Sequence, residues 1–182
     1  MEHHYNEIAR KCGITVPDFK LIEGKYFATR RFDIENNTRL HIATAGALLN
    51  ESILNPKLDY KHLLHLTGYL TQDTAQVDEM FRRMVFNILT DNKDDHAKNF
   101  SFIWKENHWL LAPAYDLTLC SNGYNGEHAT SANNRGKPSI EDMLTVGESI
   151  RISRKKGMDI IINIAERCAD ILSQDYKKDI LP

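Results

Sequence analysis

Cysteine is scarce in this chain. Cys12, Cys120 and Cys168 are the only three, and none sits in a C-x-x-C spacing. Neither a disulfide framework nor a zinc knuckle is expected, and a reducing cytoplasm fits. Long apolar runs are also missing. None approaches the roughly 18 residues of a bilayer span, so no membrane segment is expected. The opening MEHHYNEIARKCG is polar from its second residue, unlike a signal peptide. Neither sign of charge is in excess. Lys and Arg number 23 against 25 Asp and Glu, a formal charge of −2, so bulk charge gives no reason to expect nucleic acid. There is no internal repeat, no low-complexity tract, and no G-x-G-x-x-G or G-x-x-x-x-G-K loop anywhere in the sequence. What remains is 182 residues, 42% apolar and 26% charged, enough for one globular domain with a real core.

The apolar pattern predicts a mostly helical α+β chain. Tyr5, Ile8, Ala9 and Cys12 repeat at helical spacing, with Gly13 where a C-terminal cap belongs and Pro17 closing off any continuation. Alternation then predicts a hairpin, Phe19–Ile22 against Tyr26–Phe32, turning at Glu23-Gly24. From Ala43 the pattern becomes helical. YKHLLHLTGYL reads as a helix with Leu63, Leu64 and Leu66 inward. The strongest signal follows, with Val77, Met80, Phe81, Met84, Val85, Ile88 and Leu89 forming one wide stripe. Asp73 and Gln76 before it resemble a capping box. FSFIW and HWLLAP read as a strand pair turning at Lys105-Glu106-Asn107. A long Asn- and Gly-rich loop after Leu117 suggests function or lid-like mobility. Ser139 opens another helix, and a final helix is predicted from about Arg154 to Ser173.

The helix stripe delivers the chain to DNKDDHAKNF. Asp94 and Asn99 stand five apart, the D-x-x-x-x-N spacing of a phosphotransferase catalytic loop. In such a loop the Asp takes or orients the substrate hydroxyl, and the Asn oxygen holds Mg²⁺. Mg²⁺ needs further hard oxygen ligands. The predicted hairpin between Phe100 and Pro113 returns the chain to present Asp116, as protein kinases return their metal-binding aspartate. Asp94 is therefore the candidate base, Asn99 and Asp116 the candidate metal ligands, and Lys98 or His96 the candidate for neutralising phosphoryl charge. Blander readings stand beside these: Lys98 as a cap, His96 as a hydrogen-bond anchor, Asp95 as no more than support. A metal-dependent hydrolase built on Asp94, Asp95, His96 and Asp116 is a weaker alternative, since only one histidine lies in the cluster.

VFNILTDNKDDHAKNFSFIW followed by WLLAPAYDL resembles the HipA-like kinases, the toxins of HipBA-type toxin–antitoxin modules. KCGITVPDFKLIEGKYFATRRFD and GEHATSANNRGKPSIEDML resemble the family's flanking segments, so the similarity spans nearly the whole chain. The resemblance implies a protein-kinase-like helical C-lobe at 34–182, preceded by a remnant N-lobe helix, hairpin and hinge at 1–33. It implies catalytic Asp94, with His96 and Lys98 in the same loop, and Mg²⁺ on Asn99 and Asp116. ATP would be held at the hinge by backbone groups around Arg30 and Phe32, with Asp33 near the ribose. It also implies phosphorylation of Ser or Thr on a cytoplasmic protein such as an aminoacyl-tRNA synthetase. The expected partner is a HipB-like helix-turn-helix antitoxin, through which DNA is met only indirectly. The family's Gly-rich loop and ATP-binding Lys have no counterpart here. This implies a separate N-lobe chain, a truncated kinase, or a catalytically inactive binding module.

Overall fold

The computed structural model describes residues 1–51 and 58–180 of the chain. The helical segment expected from 34 onward thus includes residues 52–57 and 181–182, which lie outside the described residues. Helix α1 (Glu2–Lys11) forms where the periodicity placed it, burying Tyr5, Ile8 and Ala9. The Gly13 N–H bonds to the Arg10 carbonyl at φ +75, a conformation that costs glycine little. Strands β1 (Phe19–Ile22) and β2 (Tyr26–Thr29) make the expected antiparallel hairpin. It stops at Thr29, so Arg30 to Phe32 lie beyond the paired strand. The reason is that β2 has only β1 as a partner, and β1 begins at Phe19.

Three strands follow that the sequence reading missed. Strands β3 (Ile34–Glu35) and β4 (Thr38–Arg39) form a minimal hairpin around Asn36 and Asn37, both in the left-handed region. Strand β5 (His41–Thr44) occupies the start of the segment taken as helical, and the short helix α2 (Ala45–Leu48) begins only after it. The four-residue strand exists because it pairs with β6 (Ser101–Lys105), far along the chain. Strand β7 (His108–Leu111) completes an antiparallel sheet ordered β5-β6-β7. Lys105 pairs with His108, so the turn is two residues, Glu106-Asn107, both at positive φ. That is the primed turn that suits strand twist.

Helix α3 (Tyr60–Thr71) buries Leu63 and Leu64 as expected. Leu66 is only half-buried, and Thr67 takes the inner position instead. Helix α4 (Thr74–Leu89) is the centre of the core. Met80, Phe81, Met84, Val85, Phe86, Ile88 and Leu89 are all fully buried. Each large side chain so buried contributes about 1.5–3 kcal/mol. Asp73 caps this helix through the Ala75 N–H, but Gln76 does not close a reciprocal box. Its amide oxygen accepts from the Leu111 N–H and ties α4 to β7. Full capping boxes occur instead at Asp59/His62 on α3 and at Ser139/Asp142 on α5 (Ile140–Ser149).

The last predicted helix forms as α6 (Arg154–Arg167), stopping short of the expected Ser173, and a further helix the sequence reading missed, α7 (Gln174–Ile180), follows. The predicted periodicity holds, with Ile161, Ile164, Ala165 and Cys168 buried. The chain turns after Cys168 because the Ser173 N–H bonds to the carbonyl of Leu89, at the end of α4. Helices α5 and α6 pack on α4 through small residues. A methyl group at Gly147 would meet the Phe81 ring carbon at 2.8 Å. Gly147→Ala is therefore expected to destabilise the fold by about 1 kcal/mol: overpacking costs about 1–3 kcal/mol, against about 1 kcal/mol of helix propensity gained. A thermal melt would show this as a midpoint lower by about 2–4 °C, and a raised midpoint would refute it.

Candidate active site

The candidate loop starts where α4 ends. Thr90 closes the helix, and Asp91 turns the chain at φ +53. Tyr5 donates to the Thr90 carbonyl (2.7 Å), so α1 braces this end. Residues 91–93 then run beside Cys120. The Cys120 N–H bonds to the Asp91 carbonyl, and the Lys93 N–H to the Cys120 carbonyl. The loop finishes in a 3₁₀ turn, Ala97–Asn99, packed against α2, whose Ala45 N–H bonds to the Phe100 carbonyl (2.7 Å).

Asp94 is exposed, with half its side-chain surface open. The Asn99 amide nitrogen donates to the Asp94 carbonyl (2.9 Å), which leaves the Asn99 side-chain oxygen as the acceptor. The hairpin β6–β7 then brings the chain back. The Ala112 N–H bonds to the Ser101 carbonyl and the Ala114 N–H to the Thr15 carbonyl, fixing the segment that carries Asp116. Tyr115 is held on the same side. Its hydroxyl donates to the Lys98 carbonyl (2.5 Å) and accepts from Ser101 Oγ (2.6 Å). Burial pushes the Tyr115 phenol above its usual range, and nearby Asp116 adds to this. Asp116 itself is exposed at φ +54. It lines a narrow cleft together with Asn99. Asp116 also lines a second narrow cleft, shared with Phe27 and Thr29 of β2.

The remaining candidates are placed as follows. His96 Nε2 lies 3.9 Å from Asp94 Oδ1, while its Nδ1 is buried without a hydrogen-bond partner among the described residues. Lys98 is exposed, and only its carbonyl is engaged with the site. Phe32 packs its ring on Tyr115 (5.4 Å between centroids), which puts the predicted hinge beside the Asp116 segment. The Arg30 N–H is already bonded to the Asp18 carbonyl (2.7 Å). Asp33 is paired with Arg31, which holds its carboxyl below the usual range.

Several residues of this site went unseen in the sequence. Arg83 lines the first cleft and is buried with Glu79, which accepts from its guanidinium at 3.0 and 3.1 Å and from the Thr15 N–H at 2.9 Å. Burial holds Arg83 below its usual range, and Glu79 opposes this. Asn87 and Asn92 line the same cleft. Asp95 is not a passive loop residue. It is almost completely buried, and its carboxylate accepts from Tyr60, His128 and the Thr130 N–H. Burial first, then the adjacent Asp95 charge, holds the Tyr60 phenol well above its usual range, so it remains a donor. The loop after Leu117 is accordingly no free lid at its centre. His128, Ala129, Thr130 and Ala132 are buried, and the Ala129 N–H bonds to the Lys93 carbonyl. Among the described residues no group of three His, Cys, Asp or Glu gathers as a transition-metal site would require.

The helical body, with its loop, hairpin and returning aspartate, has the architecture of a kinase-like α+β lobe. The chain belongs to the HipA-like C-terminal domain family, whose profile matches residues 1–172. A Sinorhizobium fredii protein named "Putative kinase Y4dM" is 28% identical over 93% of this chain and 47% of its own length. A Haemophilus influenzae protein named "Putative kinase" is 30% identical over 66% of this chain and 40% of its own. The chain thus spans about half the length of the curated relatives it matches, or less. HipA of Shewanella oneidensis MR-1, solved with HipB and its operator DNA, superposes with a TM-score of 0.75 at 17% identity. That match covers 98% of this chain and 51% of HipA. The Helicobacter pylori proinflammatory kinase CtkA superposes with a TM-score of 0.53 at 15% identity, over 93% of this chain and 82% of CtkA. At these identities the structural matches speak for the fold. Among the described residues no helix is long and apolar enough to cross a membrane.

Proposed function

We propose that this chain is the helical lobe of a HipA-like serine/threonine kinase. It would transfer the γ-phosphate of ATP to a hydroxyl on a cytoplasmic protein, an aminoacyl-tRNA synthetase being one candidate. The observation that carries this is that Asn99 and Asp116 line one cleft, with Asp94 bonded through its carbonyl to Asn99. Asp94 is exposed, as a group receiving a substrate hydroxyl must be. The Asn99 oxygen and the Asp116 carboxylate are the hard donors that fit Mg²⁺, which would supply charge neutralisation for the phosphates. His96 is close enough to Asp94 to orient its carboxylate, and Lys98 stands two residues further along the loop to balance phosphoryl charge. The second cleft, between β2 and Asp116, is the candidate seat for the nucleotide. Since the Arg30 N–H is engaged, the hinge would offer the Arg30 carbonyl and the groups of Phe32.

The glycine-rich phosphate cover lies outside these residues, and we assign it to an N-lobe, whether on the same chain or on another. The hairpin β1–β2 supports this, because it exposes Leu21, Ile22 and Tyr26. The partner class would be a HipB-like helix-turn-helix antitoxin, with DNA reached only through it. The second reading is a kinase-like binding module without catalysis. A radiolabelled-ATP assay with and without a supplied N-lobe separates the two. Transfer is expected only with the N-lobe, and no transfer in either case would favour the module. Alone, the chain is expected to bind Mg·ATP in the millimolar range, about 4 kcal/mol. Micromolar binding in a calorimetric titration would contradict the incomplete clamp.

A further inference from the structure

One buried polar network ties the candidate loop to two distant parts of the chain. Asp95 Oδ2 accepts from Tyr60 Oη (2.7 Å) and His128 Nδ1 (2.9 Å), and Oδ1 accepts from the Thr130 N–H (3.2 Å). Thr130 Oγ1 donates to the Asp95 carbonyl. The network continues inward. Asn87 Nδ2 donates to Tyr60 Oη (3.0 Å), and Asn92 Nδ2 donates to Asn87 Oδ1 (3.0 Å). Tyr60, Asn87, Asn92, Asp95, His128 and Thr130 are all more than nine-tenths buried. The network ends on Asn92 Oδ1, a buried acceptor with no donor among the described residues, on the wall of the cleft that Asn99 and Asp116 share.

An ionised carboxylate is costly to bury, and an apolar side chain often stabilises such a place as well or better. A carboxylate that only accepts forces the His128 proton onto Nδ1 and the Tyr60 proton toward itself. Each donor therefore has one orientation, and each comes from a different element: α3, the segment after Leu117, and through Asn87 the end of α4. The residue so clamped stands between Asp94 and His96.

We propose that Asp95, with His128 and Tyr60, is a positioning residue. It fixes the Asp94–Asn99 loop in the conformation that presents Asp94 and the Asn99 oxygen, and it makes the segment 128–130 part of the site. It acts through its neighbours and touches no reacting atom. Its importance for phosphoryl transfer rests on the kinase reading above. Its effect on the loop does not.

Tyr60→Phe tests this with little change of shape, removing one of the donors to Asp95. The full chain is expected to keep its circular dichroism spectrum. Backbone amides of Ala97 to Asn99 and of Ala129 to Ser131 should exchange with solvent at least 10-fold faster, while those of α6 stay unchanged. His128→Gln, which keeps a donor, is expected to exchange near the wild-type rate at these amides, and His128→Leu is not. Mg·ATP affinity should fall about 10-fold in Tyr60→Phe and His128→Leu. Acceleration spread evenly over α6 and the loop would reduce the network to a general brace and overturn the proposal. Unchanged exchange in the loop would also overturn it. If the wild-type chain binds no Mg·ATP, the kinase reading fails, and the exchange measurements still decide the positioning role.

Discussion

Asp94→Ala, in the chain supplied with an N-lobe, is expected to lower kcat for phosphoryl transfer by about 10²- to 10⁴-fold. KM for ATP should stay within about threefold of wild type. The split follows from placement. Asp94 is exposed and reaches the Asn99 segment only through its backbone carbonyl, which alanine retains. The 3₁₀ turn that carries the metal-ligand candidate should therefore survive. Only the group proposed to orient and deprotonate the incoming hydroxyl is removed, and positioning of that kind acts mainly on the transition state. Steady-state kinetics on folded protein checks this. Wild-type turnover would remove Asp94 from the chemistry. An equal rise in KM for ATP would place it in nucleotide binding instead.

The second large effect concerns stability. Glu79→Ala is expected to cost about 3–5 kcal/mol, because it leaves the Arg83 guanidinium buried without its acceptor. Arg83 has 3% of its side-chain surface exposed, so solvent cannot replace the carboxylate. The Thr15 N–H loses its acceptor as well, and with it the tie between α4 and the segment after α1. In a domain whose whole stability is of order 5–15 kcal/mol, this is a large fraction. Replacing both partners, as Glu79→Met with Arg83→Met, should recover most of the loss apart from the Thr15 share. Well-packed apolar residues often replace a buried ion pair at no net cost. Urea unfolding of Glu79→Met, Arg83→Met and the double variant forms the cycle that measures it. A double variant no more stable than Glu79→Ala would mean that the cost is cavity, not charge.

Much of the site could be read directly. The Asp94 to Asn99 spacing lies within six residues, and the polar Lys105-Glu106-Asn107 break between two apolar runs made the returning hairpin visible. A hairpin is a local structure whose ends must be neighbours, so Asp116 followed from it. The supporting residues were not visible. Glu79, Arg83 and Asn87 recur every four positions on α4 and read as the solvated side of an amphipathic helix. In the fold that side is covered by the segment after α1 and by the cleft. His128 and Thr130 lay in a loop whose composition suggested mobility, yet they are buried on Asp95. The signal that could have found them was the charge of Asp95 itself, set in a segment whose neighbours need a fixed conformation.

The amino-acid sequence determined what is local here: α1, α3, α4 and the β6–β7 hairpin, their inward faces, and the order of Asp94, Asn99 and Asp116. Periodicity and turn chemistry act over a few residues, so they are written in adjacent positions. The tertiary structure alone decided that β5 exists, that α6 stops at Arg167, and that a row of polar side chains on α4 faces inward. It also decided that Asp95 is a buried hub. Each of these depends on a partner far away in the chain, whether β6, the Leu89 carbonyl, the Thr15 amide, Tyr60 or His128. A side chain's neighbours fix the energy of burying a charge or pairing a short strand, and no neighbouring position in the sequence records them.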